Sequence, residues 1–580
     1  MSKFIALILI VLTFLGTAGE TIYPLEGWRE KPSSASDPEN AQEGGTFVSY
    51  LGPSPKSLNY YLDNNVMSAQ VFSYFYETLL SRDSETLEYT PWLAKKWSIS
   101  DDKTTFTFWL DEKARWSDGK PITAEDVLWT YDALVDPKNL TGPFRYQLER
   151  LERPEILSDG AIRFRAKSIH WENLSAAGEI LVMPKHVFKD MDFNLINFEF
   201  PVVSGPYCID EFQEGQYLLL KKRADYWRRD YPANQGVNNF NFLKMRFFED
   251  QQNAFDAFKK GEIDAMKIYS ASQWHQIENE ITAVRNHWIV KQEIHNQEPV
   301  GMQGFAMNLR RPLFQDVRVR KALAMLIDRD FMNRTMMFSQ YFLHKSFMED
   351  LYDAEHPCSS ELVPFDPAAA RKLLAEAGWK PDPETGILKK DGVEFSLTFL
   401  NRGDSSVKFL SVYNEALKSI GIKMSIVSKD WSAWAKDMDE YNFDMTWAAW
   451  GGSLFKDPEQ LWSSKEAKAP GSSNITGFAD ARVDALIEEQ KGIFEIQKRN
   501  DICRKIDAIL VSEFPYALLW NINYTRMLYW NKFGTPSKVF GRYGGDPETL
   551  WWLDEDRQEE LQEAMETKTP MAAEPAVIIW

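Results

Sequence analysis

The stretch PWLAKKWSISDDKTTFTFWLDEKARWSDGKPITAEDV, residues 91–127, has the most legible punctuation in the chain. Residues 104–110 alternate apolar and polar side chains at the period of a half-buried strand. Ser117, Asp118 and Gly119 supply turn chemistry. Thr123 and Asp126 have the spacing of a capping box, in which hydroxyl and carboxylate satisfy backbone N–H groups left unpaired at a helix start. Val127, Leu128, Tyr131 and Leu134 follow at helical spacing and predict its buried face.

The same logic extends outward in both directions. Residues 46–51 read as a strand, and residues 68–80 as a helix with Val71, Phe72, Phe75 and Leu79 on one stripe. Residues 20–45 are polar, rich in Pro, Ser and Gly and without periodicity, so a flexible leader is expected. Downstream, residues 245–248 predict a strand, Asp250 a helix N-cap and Gly261 its left-handed C-cap, with a strand near Ile263 completing a βαβ-like unit. Asp316 caps a further helix, and Asp366 with Pro367 opens one that Gly378 closes. Residues 395–400, 423–427 and 443–450 are strands separated by helices at 407–420 and 431–438, so parallel pairing is expected. Residues 556–566 form an acidic helix, and 567–580 read as loose. In open α/β sheets ligands settle beyond the carboxyl ends of the strands, which directs attention to the residues just after Met445.

The chain has 580 residues, beyond the size at which a single core keeps growing, so two or three lobes are expected. Lys3, an apolar run at 4–15 and the small residues 16–19 read as a secretory signal peptide, cleaved near Ala18. Lys and Arg total 66 against 85 Asp and Glu, a net charge of −19 that opposes binding to nucleic acid phosphates. Cys208, Cys358 and Cys503 allow at most one bridge, and buried free thiols are expected. The 21 Trp exceed what a core usually needs, so part of that aromatic surface is a candidate ligand wall, although aromatics at strand or helix spacing are more often core.

Catalytic signatures are missing from the sequence. The seven histidines show no i, i+4 pair of the zinc-binding kind, and neither a nucleophile elbow, a phosphate-binding loop nor a dinucleotide-binding glycine pattern occurs. No metal and no cofactor is expected. Acidic pairs suited to glycoside hydrolysis arise by chance among 85 carboxylates and are more often solvated faces.

Pro91, Leu93, Ala94, Trp97, Ser100, Asp102, Thr105, Phe106, then Trp116, Ser117, Asp118, Gly119, Pro121, Thr123, Ala124, Asp126 and Val127, resemble the signature of family 5 extracellular solute-binding proteins of ABC importers. Ser204, Gly205, Pro206 and Tyr207, then Asp225, Tyr226 and Trp227, then Val317, Arg318, Arg320, Lys321, Ala322, Leu323 and Asp328 follow in the family's order. Phe331, Met332 and Asn333, with Trp447 and residues 451–454, resemble the oligopeptide and microcin C branch. The resemblance implies an α/β, periplasmic binding protein-like fold (type II, class C) with two main lobes, an inserted lobe and a hinge. Its expected division is a signal peptide at 1–18, a leader at 19–45, lobe I from 46–84, 205–300 and 519–555, lobe II at 85–204, lobe III at 301–518 and a tail at 556–580.

The resemblance also implies a binding site. Peptide binders of this family hold the ligand backbone with a loop matching Asn64, Asn65 and Val66 and with the strand end Trp450, Gly451, Gly452 and Ser453. Where the family has an aspartate for the peptide's ammonium this chain has Ser453, with Asp457 nearby as a substitute. Trp450 is a stacking surface, Gly451 and Gly452 admit close backbone approach, and Trp447 is either ligand wall or strand core. Arg402 is a candidate donor to a ligand carboxylate or phosphate, though arginines at such positions are more often ordinary surface residues. The expected function is therefore a monomeric, non-catalytic periplasmic component of an ABC importer that closes around a peptide-like solute and delivers it to a membrane permease. An oligosaccharide binder, a secreted carboxylate-dependent hydrolase and a chaperone-like peptide binder are the competing readings.

Overall fold

The structure is a computed structural model and describes residues 19–59, 61, 62, 66–196 and 198–580. Residues 1–18, expected to be a signal peptide, and the candidate ligand residues Asn64 and Asn65 lie outside the described residues, and Val66 opens the helix Val66–Phe72. No helix among the described residues is long and apolar enough to cross a membrane. The chain forms two compact units, one from residues 1–31, 55–210 and 221–234, the other from 32–54, 211–220 and 235–580.

The first unit contains an antiparallel sheet in the order Glu20–Tyr23, Ala94–Ser100, Thr105–Leu110, Ile162–Arg165, Glu155–Ile156. The helix Ala124–Val135 has the expected capping box, with the Thr123 N–H donating to the Asp126 carboxylate at 2.9 Å. Val127, Tyr131 and Leu134 are buried, and Leu128 is half-buried. Trp116 is fully buried, Ser117 exchanges hydrogen bonds with the backbone of Val203, and Gly119 takes φ +81° in the turn.

Two expectations fail in this unit. The leader is not loose: Glu20–Tyr23 pairs along Ala94–Ser100, Tyr23 stacks on Trp97 at 5.4 Å, and Glu30 forms an ion pair with buried Arg228. A four-residue strand that borrows an existing edge leaves too short an alternation to read. The helix expected at 68–80 ends at Phe72, because the Phe75 carbonyl accepts from the N–H groups of Ser204 and Gly205 at 2.9 Å each. Phe75 and Leu79 are buried all the same.

The second unit is built on a mixed sheet of five strands, β1 (Met302–Met307), β2 (Ser396–Arg402), β3 (Lys423–Lys429), β4 (Met445–Trp450) and β5 (Tyr516–Leu518), in the order β3-β2-β4-β1-β5. As expected, β2 runs parallel to β3 and to β4, and the helices α1 (Val407–Ser419) and α2 (Trp431–Asp439) make the crossovers. β1 is antiparallel to both β4 and β5. One set of buried side chains, including Phe305, Phe399, Tyr413 and Met445, packs with α1, while a second, including Leu400, Trp462, Ile506 and Tyr516, packs with the helix Ile496–Glu513. Buried Arg320 ties this body together by donating to the carbonyls of Phe314 and Glu513.

Elsewhere in this unit the caps are as expected: Asp250 accepts from the N–H groups of Gln252 and Asn253, and Gly261 takes φ +77°. The βαβ-like unit does not form. Phe242–Phe247 pairs in parallel with Thr46–Gly52, whereas Ala265–Lys267 pairs antiparallel with Thr525–Trp530 in another sheet, so the intervening helix links two sheets. The helix Glu555–Thr567 is present, but the residues beyond it are not loose: Val577–Ile579 adds in parallel to Ile289–His295 and Met571 is buried. All three cysteines are free thiols, of which only Cys503 is buried.

Candidate functional site

Because β2, β3 and β4 are parallel, their carboxyl ends, Arg402, Lys429 and Trp450, come out at one edge of the sheet. Antiparallel β1 begins at that same edge, with Met302 opposite Trp450. A cavity of about 740 Å³ lies there, lined wholly by residues of the second unit. Its position is the one that open α/β sheets favour for ligands, and its volume lies within the usual range for small-molecule clefts.

Tryptophans from three chain segments form much of the wall. Trp447 stands edge-on to Phe305, Phe409 and Trp520, with ring centroids 5.5, 5.8 and 5.7 Å away, and its indole N–H donates to Gln303 Oε1 at 2.9 Å. Gln303 in turn donates to the Trp520 carbonyl at 2.7 Å. Trp447 is thus core on one side and cavity wall on the other, joining the two readings of it. The Trp450 indole N–H donates to the hydroxyl of buried Tyr516 at 3.0 Å, which fixes the ring at the strand end. Burial raises the Tyr516 hydroxyl above the ordinary phenol range, so it remains a neutral partner. On α2, Trp431 and Trp434 stack at 5.4 Å, and Trp431 is 60% exposed.

Arg402 lies with its guanidinium 5.2 Å from the Trp431 ring and 5.9 Å from that of Trp434. Stacking engages the guanidinium face and leaves its N–H edges available for a carboxylate or phosphate. Among the described residues the same wall contains Lys408 and a single carboxylate, Asp439, with no histidine or cysteine.

Of the residues singled out from sequence, the cavity brings together Arg402, Trp447 and Trp450. Gly451, Gly452, Ser453 and Asp457 follow in the loop after β4 and do not line it. A Cβ on Gly452 would stand 2.3 Å from the Pro299 carbonyl oxygen, so this glycine serves backbone packing, while Gly451 faces open space. The Ser453 hydroxyl donates to the Phe455 carbonyl at 2.9 Å. Asp457 accepts from the Glu459 N–H at 3.1 Å and from the Gln490 amide at 3.5 Å. Sequence reasoning missed Gln303, Trp431, Trp434, Asp439 and Trp520 as wall residues. The placement of Trp431 and Trp434 directly after a parallel strand was the signal that could have found the α2 members; Gln303 and Trp520 become neighbours of Trp447 only through the antiparallel pairing of β1.

The family model described as bacterial extracellular solute-binding proteins, family 5 Middle, matches residues 88–471, more than half of the chain. Among curated relatives, a protein of Brucella suis biovar 1, named only as a binding protein, is 29% identical over 517 residues, covering 82% of this chain and 83% of its own. A protein of Agrobacterium fabrum named "Probable peptide-binding protein YejA" is 29% identical over 526 residues, covering 83% of this chain and 84% of its own. Among solved structures, the oligopeptide-binding protein AppA from Bacillus subtilis, in complex with a nonapeptide, superposes with a TM-score of 0.71 at 22% identity, over 89% of this chain and 100% of that one. At that identity the superposition speaks for the fold. The chain belongs to the bacterial extracellular solute-binding proteins of family 5.

Proposed function

We propose that the protein is the periplasmic binding component of an ABC importer, which captures a peptide or peptide-like solute without transforming it and delivers it to a membrane permease. The observation that carries this reading is the 740 Å³ cavity at the carboxyl ends of β2, β3 and β4, walled by tryptophans and a few charged and hydroxyl groups. Such a wall encloses an extended ligand by contact and orients it with few polar groups. A hydrolase using paired carboxylates needs two of them, and among the described residues the wall presents one, Asp439. The peptide assignment draws on the name of the Agrobacterium relative and on the nonapeptide in the Bacillus structure. Capture would end in closure on the solute, the change of shape being what a permease reads.

Thermal shift against peptide panels tests this. A ligand at 100 times its Kd stabilises the native state by about 2.7 kcal/mol, and it should be recovered unchanged after incubation. Absence of any shift with peptides or peptide conjugates, or turnover of the stabilising ligand, defeats the proposal. The exposed Trp431 and Trp434 pair also suits a sugar ring, so an oligosaccharide panel run in parallel separates that second reading.

A further inference from the structure

A second cavity, of about 400 Å³, lies within the second unit and shares no wall residue with the first. Its volume is within the usual range of small-molecule clefts. The wall is drawn from the leader, from the strand Thr525–Trp530 and the loop after it, and from the C-terminal segment. Three of its polar side chains are nearly inaccessible: Trp552 is 5% exposed, Tyr529 3% and Gln292 2%. Trp552–Leu553 pairs with Phe533–Gly534, and the indole lies so close to Gly534 that a Cβ there would stand 2.1 Å from Nε1.

The protein itself makes little use of these buried groups. Trp530 and Trp551 donate their indole N–H groups to the carbonyls of Phe258 and Val539 at 3.0 Å each. The Trp552 N–H, in the cavity wall, has no acceptor among the described residues. The Tyr529 hydroxyl reaches Gln292 Oε1 only at 3.4 Å, beyond the usual length of about 2.7–2.8 Å, while the Gln292 amide donates to the Pro575 carbonyl at 2.8 Å. Buried polar groups are seldom left in this state, because their lost hydration is not returned. Around them stand Asp37, Asp554 and Glu574 against a single guanidinium, Arg557, which pairs with Glu574 at 2.7 Å and with Asp554 at 3.6 Å. Three carboxylates to one cation leave the wall negative.

Those features select a ligand chemistry. An anion could accept from the Trp552 N–H but meets a negative wall, and an ammonium suits that wall but cannot accept a hydrogen bond. A hydroxyl group carries no charge and both donates and accepts, so it can serve Trp552, Tyr529 and Gln292 together. Pro536, Val539 and Ile578 add apolar surface suited to C–H faces. We propose that this cavity is a second ligand site, separate from the solute cavity, that binds a neutral polyhydroxy compound of the sugar class. The proposal does not depend on the peptide reading.

The test is saturation-transfer NMR and calorimetric titration of the intact protein with glucose, N-acetylglucosamine and trehalose as neutral probes, glucuronate as the anion and spermidine as the cation. At least one neutral sugar should bind, with glucuronate and spermidine weaker by about tenfold or more. Trp552→Phe removes the indole N–H and Tyr529→Phe removes only a hydroxyl, and each should weaken the sugar by about fivefold, the worth of one net hydrogen bond. Trp431→Ala, in the first cavity, should leave the sugar affinity in place. Unchanged affinity in both phenylalanine variants overturns the proposal, and loss in Trp431→Ala instead assigns the sugar to the first cavity. A preference for spermidine or glucuronate, or no transfer from any neutral sugar at millimolar concentration, also overturns it; none of these outcomes bears on peptide capture.

Discussion

Glu548 is the buried carboxyl whose titration should be most visible in stability. It sits in the short helix Pro547–Leu550, 4% exposed, hydrogen-bonded to Ser49 and near Asp546 and Lys267. Burial first, and then the negative charge of Asp546, raise its pKa from 4.5 to about 7, with Ser49 and Lys267 opposing. In the unfolded chain this carboxyl ionises above about pH 4.5, whereas the folded protein keeps the proton to about pH 7. Its stabilising contribution is therefore complete below about pH 4.5 and is lost as pH rises through that window. Moving this titration from 4.5 to about 7, at 1.36 kcal/mol for each tenfold change in proton affinity, corresponds to about 3 kcal/mol. Glu548→Gln stays neutral and keeps a partner for Ser49, so it should match the parent near pH 4.5 and exceed it by about 3 kcal/mol at pH 8. For a cooperative unit of roughly 380 residues that is about 4 °C in Tm, at about 2.1 cal/mol/K per residue. Differential scanning calorimetry of both proteins from pH 4.5 to 8 decides it. Parallel Tm curves would refute the reasoning, since they would mean that Glu548 is ionised in the fold throughout.

Asp264 is almost fully buried, accepts from the Val48 N–H at 2.7 Å and pairs with Lys532 at 2.6 Å. Lys532→Met strands that charge and should cost about 3–5 kcal/mol in denaturant unfolding, with Asp264→Asn added to it recovering most of the loss. A Cβ at Gly205 would stand 2.2 Å from the Tyr74 carbonyl oxygen, so Gly205→Ala should destabilise the first unit by about 1–3 kcal/mol and lower its proteolytic resistance. Trp450→Ala removes wall surface and the partner of Tyr516, and calorimetric titration with whichever peptide the panels select should show affinity at least tenfold lower, about 1.4 kcal/mol. Deleting residues 575–580 strips a strand from Ile289–His295, and hydrogen exchange in that strand should accelerate.

What the sequence disclosed was local. The Thr123–Asp126 box, the caps at Asp250, Asp316 and Asp366, and the parallel strands β2, β3 and β4 with their helices depend on neighbours a few residues away. The signature residues that carried the resemblance prove to be structural: Trp116 is buried, while Ser117 ties to distant Val203 and Gly205 leaves room for the distant Tyr74 carbonyl, contacts that the residues alone do not announce. What stayed hidden depends on pairing at long separation. Glu20–Tyr23 and Val577–Ile579 are strands only because distant edges accept them, and the helix expected at 68–80 stops where residues 204 and 205 take its carbonyl. The cavity divides in the same way. Arg402, Trp447 and Trp450 stand at ends of readable strands, whereas Gln303 and Trp520 reach the wall through the antiparallel insertion of β1 beside β4.

The chain passes from one unit to the other five times, at residues 31–32, 54–55, 210–211, 220–221 and 234–235. Neither unit therefore corresponds to an unbroken run of codons, and no single crossover between related genes can exchange one unit whole. The cavity wall escapes that constraint: its residues, from Tyr269 to Trp520, all fall in the unbroken run 235–580, so solute preference can change there by substitution or by exchange of that run while the alternation upstream stays intact.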